Sequence, residues 1–118
     1  MNDVVERWEM APGFSISRVL TGLWQIADME RDDRRLDLEQ TAEAMKPYVE
    51  AGFTTFDMAD HYGSSEIIAG LYGEAYGHDS AELFTKWVPV PGPVSREDVR
   101  AAVQRAMDRL RTDRLDLL

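Results

Sequence analysis

Asp57, Tyr62 and Lys86 are the residues of this 118-residue chain whose types and spacing point to chemistry. Asp57 ends one apolar, β-branched and aromatic run, Phe53 to Asp57, and Lys86 lies near the end of another, Ala81 to Val88. Both runs read as strands. Adjacent parallel strands lie about 4.8 Å apart, so a carboxylate and an ammonium on neighbouring strand ends can pair. A tyrosine in the turn after Asp57 would feel Lys86 as a positive charge, which favours its phenolate. Such a tyrosine can donate a proton to a carbonyl oxygen as negative charge develops there. Asp57 would hold Lys86 in place and keep it protonated. Trp24, His61 and Trp87 could wall a flat, mostly apolar pocket above the three. Each residue also has a structural reading: a strand-end Asp forms turns, a Tyr before Gly packs, and a Lys in a fold can serve only to satisfy a carboxylate. His61 reads more simply as a pocket-lining residue than as a general base, and His78 as a loop residue.

The elements that must position these groups alternate along the chain. Glu6 to Ser17 reads as a hairpin turning at Ala11-Pro12-Gly13, where Pro presets φ and Gly tolerates a positive one. Arg18 to Trp24 is a candidate first strand. The charged stretch Asp28 to Arg35 reads as a solvated loop. Leu38, Ala42, Met45 and Val49 share one face of a 3.6-residue period, predicting a helix from Leu38 to Ala51. Pro47 should kink it or shorten its last turn. After the Phe53 to Asp57 strand, Ser64 or Ser65 can cap a helix that places Glu66 in its first turn, buries Ile67, Ile68, Leu71 and Tyr72, and ends near Gly77. Gly70 and Gly73 weaken that helix but let it lie close to the sheet. After the strand of Ala81 to Val88, Ser95 and Asp98 form a capping box opening the best helix in the chain. Its apolar stripe is Val99, Ala102, Val103, Ala106, Met107 and Leu110. Leu115 to Leu118 begins a fourth strand. Strands separated by helices imply an α/β fold with parallel pairing and right-handed crossovers, and ligands there bind at the carboxyl ends of the strands.

Composition narrows the function classes. Thirteen Lys and Arg face 22 Asp and Glu, a formal net charge of −9. That balance argues against a nucleic-acid or anionic-membrane partner. The absence of cysteine removes disulfides, thiolate metal sites and cysteine nucleophiles. The six Met residues show no metal-ligand pattern, so no metal is expected. No apolar run approaches the about 18 residues of a membrane span, and the start of the chain is acidic and polar, so the cytoplasm is the default. No strand is followed by a Gly-x-Gly-x-x-Gly or Walker-type loop.

Phe56-Asp57-Met58-Ala59-Asp60-His61-Tyr62-Gly63-Ser64-Ser65-Glu66 resembles the signature of the aldo-keto reductase family, with the spacing Asp-x-Ala-x-x-Tyr. Leu83-Phe84-Thr85-Lys86 resembles the family's catalytic-lysine strand. Arg109 to Leu118 resembles the approach to its fourth barrel strand, and Ser17-Arg18-Val19 with Gly22-Leu23-Trp24 fits its opening strand. The resemblance implies the N-terminal portion of a (β/α)8 TIM barrel with a leading β-hairpin, about four parallel strands and three helices. One partial domain would span 1–118, with the tail and hairpin in 1–17. The implied activity is NADPH-dependent reduction of a small-molecule aldehyde or ketone. Tyr62 then resembles the general acid and Lys86 the partner that makes it a better one. Asp57 resembles the carboxylate that holds Lys86 near the nicotinamide ribose. Gly22 and Leu23 resemble strand-one positions beside the cofactor, and Trp24 and Trp87 pocket walls.

The family's fourth catalytic group is a His just beyond a Leu-Asp-Leu stretch like Leu115-Asp116-Leu117, and its main cofactor contacts lie in the second half of a barrel of about 250 residues. Residue 118 falls before both. The reading is therefore an oxidoreductase domain truncated at its fourth strand. The alternative is a non-catalytic half-barrel that self-associates through open sheet edges or docks on a complementary half.

Overall fold

A computed structural model describes residues 4–118. Residues 1–3 of the expected N-terminal tail lie outside the described residues. The hairpin forms where Pro and Gly predict it. β1 (Arg7–Ala11) and β2 (Phe14–Ser17) pair antiparallel around Pro12-Gly13, with Gly13 at φ +77°. The hairpin is tied to the rest of the chain by reciprocal bonds. The Ser17 amide donates to Thr55 Oγ1 at 2.9 Å and the Thr55 amide to Ser17 Oγ at 3.1 Å.

β3 (Thr21–Gly22), β4 (Thr55–Asp57) and β5 (Glu82–Phe84) form a parallel sheet in sequential order. Each is shorter than its apolar run, most markedly at the first. There the Ser17 hydroxyl bonds the Val19 carbonyl, Val19 and Leu20 stay exposed, and only Thr21 and Gly22 reach the ladder. Leu117 makes a parallel bridge to Phe84, which is as much of the expected fourth strand as forms.

Register decides which side chains meet. Thr21 pairs Phe56, and Phe56 pairs Leu83; Gly22 pairs Asp57, and Asp57 pairs Phe84. Side chains alternate along a strand. Phe56, Met58 and Leu83 therefore join the buried core with Ile26, Ala42, Met45, Ile68, Tyr72 and Leu110. Thr55, Asp57 and Phe84 face the other way, where Phe14 of the hairpin packs on Phe84 with ring centroids 6.0 Å apart.

The helices cover the core side. The stretch predicted as one helix is two, α2 (Leu38–Glu43) and α3 (Lys46–Glu50), with α1 (Gln25–Met29) before them. Pro47 is the reason. It has no amide proton to give the preceding turn, but it suits the first turn of a new helix, where it lies. Asp37 caps α2 by accepting from the Gln40 amide at 3.1 Å. Ala42 and Met45 are buried, and Leu38 and Val49 pack on the core, so the predicted face survives the break. The predicted solvated loop contains the end of α1 and a 3-10 turn, Arg31–Asp33.

α4 (Ser65–Tyr76) ends at Gly77, φ +95°, and α5 (Arg96–Leu110) opens with the predicted Ser95–Asp98 capping box. Ala102, Ala106 and Leu110 of its stripe are buried, whereas Val99 is exposed. Gly70 has a different role from the one its place suggested. A Cβ there would collide with the Arg109 carbonyl and the Leu110 backbone, so it admits α5 rather than the sheet. Gly73 faces the His78 ring. In an exposed helix Gly→Ala stabilises by about 1 kcal/mol. Here Gly70→Ala should destabilise by about 1–3 kcal/mol through overpacking, read by urea unfolding; a gain in stability would contradict this helix contact.

Candidate active site

The row Gly22–Asp57–Phe84 places Asp57 at the carboxyl end of the middle strand, and the Leu23 amide donates to the Asp57 carbonyl at 2.9 Å. Lys86 lies two residues beyond Phe84, so it returns to the same face of the sheet as Asp57. Its ammonium donates to Asp57 Oδ1 at 2.7 Å and to the Met58 carbonyl at 2.6 Å. The pair is half-exposed, with 43% of the Lys86 side chain and 39% of Asp57 accessible. The same ammonium lies 5.0 Å from the centroid of the Tyr62 ring. The three residues singled out from sequence therefore meet, with Tyr62 presenting its ring face to the cation.

The turn after β4 brings a second set of groups. The Asp60 amide donates to the Lys86 carbonyl at 2.9 Å, extending the ladder beyond β4 and β5. Asp60 Oδ1 is 2.9 Å from His61 Nδ1, and Oδ2 accepts from the Val88 amide at 3.1 Å. Burial raises the pKa of the Asp60 carboxyl. The bonds from His61 and Val88, with the charges of His61 and Arg105, outweigh it and hold the pKa below the ordinary carboxylate value. The His61 ring meets Tyr62 edge-on, centroids 5.0 Å apart at 68°. Trp24 stands half-exposed at the start of α1, beside Leu23. Trp87 lines a groove of about 310 Å³ with Pro89, Val90, Pro93 and Arg105. A wider cavity of about 810 Å³, lined by His78, Asp79, Met107, Arg111 and Arg114 among others, lies toward the amino end of β5, the opposite end of the sheet from Asp57 and Lys86.

Glu66 lies in the first turn of α4 and Arg109 in the last turn of α5, each where its charge suits a helix dipole. They are partners of each other. Glu66 is 2% exposed, accepts from Thr85 Oγ1 at 2.8 Å and pairs with Arg109 Nη1 at 3.0 Å. Arg109 Nη1 also donates to the Asp60 carbonyl at 3.2 Å. The signal was the spacing of Thr85 next to Lys86, since alternation turns Thr85 toward the helices.

A model of the aldo/keto reductase family matches residues 18–118. The chain belongs to the aldo/keto reductase family. The uncharacterized oxidoreductase YcsN of Bacillus subtilis is 28% identical over 131 residues, covering 97% of this chain and 42% of YcsN. An aldo-keto reductase of Klebsiella pneumoniae, solved in complex with NADPH, superposes with a TM-score of 0.74 at 20% identity, covering 97% of this chain and 38% of that one. One from Bombyx mori, solved with NADP, gives 0.68 at 20% identity, over 96% and 36%. The chain thus spans less than half the length of these relatives. The hairpin and the parallel strands with their helices are the corresponding part of a (β/α)8 barrel. Among the described residues no helix is long and apolar enough to cross a membrane.

Asp60 gives this aldo/keto reductase chain a definite pH dependence. A carboxyl more acidic folded than unfolded contributes stability in full above its unfolded value, about 3.9, and loses it as pH falls through the folded one. The stability advantage of the native chain over Asp60→Asn should therefore shrink as pH falls from about 5 to below about 4. Urea unfolding across that range reads it, and a constant advantage at acid pH would contradict the assignment.

Proposed function

We propose that this chain supplies the proton-donating groups of a carbonyl-reducing centre that converts an aldehyde or ketone to an alcohol with NADPH. The observation that carries the reading is Lys86, paired with Asp57 and set over the Tyr62 ring. When bound, NADPH supplies a hydride to the carbonyl carbon and is left as NADP⁺. The Tyr62 hydroxyl donates its proton to the oxygen, where negative charge develops. The Lys86 ammonium offsets the charge left on the phenolate, and Asp57 keeps the ammonium in place. Solvent returns the proton to Tyr62, which is partly exposed.

The residues present suit the nicotinamide end of the cofactor. Among the described residues no donor pairs with Asp57 Oδ2, which leaves it free for a ribose hydroxyl. Gly22, one strand away, has open space where a side chain would lie, so a flat ring can approach the backbone. Leu23, expected beside the cofactor, turns its side chain onto the core, and only its backbone, bonded to the Asp57 carbonyl, borders the same position. Trp24 and His61 supply aromatic surface for the carbonyl substrate, whereas Trp87, expected to be a pocket wall, lies toward α5 in the groove with Pro93 and Arg105. An exposed carboxylate–ammonium pair at the strand ends favours this reading over a non-catalytic half-barrel, which has no use for one.

Tyr62→Phe tests it. Its kcat for an aromatic aldehyde should fall by about 10²- to 10⁴-fold. NADPH binding, read by quenching of tryptophan fluorescence, should be unchanged. Turnover in Tyr62→Phe at the native rate would contradict the role.

A further inference from the structure

The charged run Asp28 to Arg35 reads as solvated surface, yet one of its side chains is held. Glu30 closes α1, and its carboxylate takes two hydrogen bonds from one residue. The Ser64 amide donates to Oε1 and the Ser64 hydroxyl to Oε2, each at 2.7 Å. A two-point grip fixes orientation as well as distance, and an ionised acceptor makes each bond roughly twice as strong as a neutral one. Ser64 immediately precedes α4, so the carboxylate also sits where the helix favours negative charge. This is why the Ser64 hydroxyl, expected to cap α4, points to Glu30 instead.

Gly63 is shaped around this grip. Its φ is +51°, and a Cβ there would overlap Glu30 Oε1 and lie 3.3 Å from Ala27 Cα. Tyr62 is the next residue back. Its amide donates to the Ala59 carbonyl at 3.2 Å, and its carbonyl accepts from the Ser65 amide at 3.0 Å. The turn carrying Tyr62 is thus closed on itself, held on one side by Asp60 against Lys86 and on the other by Glu30.

We propose that Glu30 is a positioning residue for Tyr62: by gripping Ser64 across Gly63 it sets the turn that holds the Tyr62 ring over Lys86. Its effect on catalysis rests on the reading of Tyr62 as proton donor; its effect on the ring does not.

The test uses ring-labelled tyrosine NMR, with Tyr62 assigned by its loss in Tyr62→Phe. Glu30→Ala should shift the Tyr62 ring signals and leave those of Tyr48 unmoved. Glu30→Gln should restore them, because the amide oxygen accepts from the Ser64 amide while its NH₂ donates to the hydroxyl. In the same variants kcat should fall about tenfold or more for Ala, with KM held, and recover for Gln. A helix cap with no positioning role would lower the melting temperature of Glu30→Ala and leave Tyr62 unmoved, which overturns the proposal. If Glu30→Ala does not fold, Ser64→Ala removes one bond only; a Tyr62 shift there supports the proposal and an unmoved signal overturns it. If Tyr62 shifts but its removal leaves carbonyl reduction intact, the positioning stands and the reductase role of Tyr62 fails.

Discussion

The parallel register that sets Gly22, Asp57 and Phe84 in one row is the constraint on which the site depends. Because Asp57 is opposite Phe84, Lys86 reaches the same face two residues later, and the ammonium falls within 2.7 Å of the carboxylate. A slip of one residue would turn every side chain of the strand to the other face. It would bury Asp57 among Met45, Ile68 and Leu110 and send Phe56 to the side of the hairpin. The apolar core and the polar pair therefore enforce one another's register. The hairpin adds to this from below, since its Ser17–Thr55 bonds lock β4 at its amino end.

The opposite face of the same strands carries a second polar group, and it is a costly one. Burying the Glu66 carboxylate costs several kcal/mol, which is offset only where hydrogen bonds and a counter-charge are in place. Thr85 and Arg109 provide both. The cost returns as connection: Thr85 adjoins Lys86, Glu66 belongs to α4, and Arg109 belongs to α5 and also holds the Asp60 carbonyl. The strand end, both helices and the turn that carries His61 and Tyr62 are thus joined through one buried charge. Close approach of α4 to α5 at Gly70 lets the arginine reach.

What was legible in the sequence is what short-range chemistry dictates. Pro12-Gly13 makes the hairpin turn, Ser95 and Asp98 make the capping box, and the apolar stripe of α5 follows its period. The meeting of Asp57, Tyr62 and Lys86 was legible because they lie at or just beyond the carboxyl ends of strands, where topology brings distant residues together. The remainder depended on partners far away in the chain. Pro47 predicted a disturbance, but not that Lys46 would start a new helix whose Val49 still packs on the core. Glu66, Arg109 and Glu30 each had an adequate local reading, as dipole partners or solvated charge. Their tertiary partners are 43, 43 and 34 residues distant, beyond the reach of any helical or strand period.

In the proposed centre Asp57 and Lys86 serve Tyr62 as one unit in carbonyl reduction. The direct measurement is the loss of kcat/KM in Asp57→Asn, in Lys86→Met and in the double variant. Residues that act as a unit are non-additive, so the double variant should lose no more than the worse single one. Losses that multiply, with each variant folded, would show the two side chains acting independently and contradict the account.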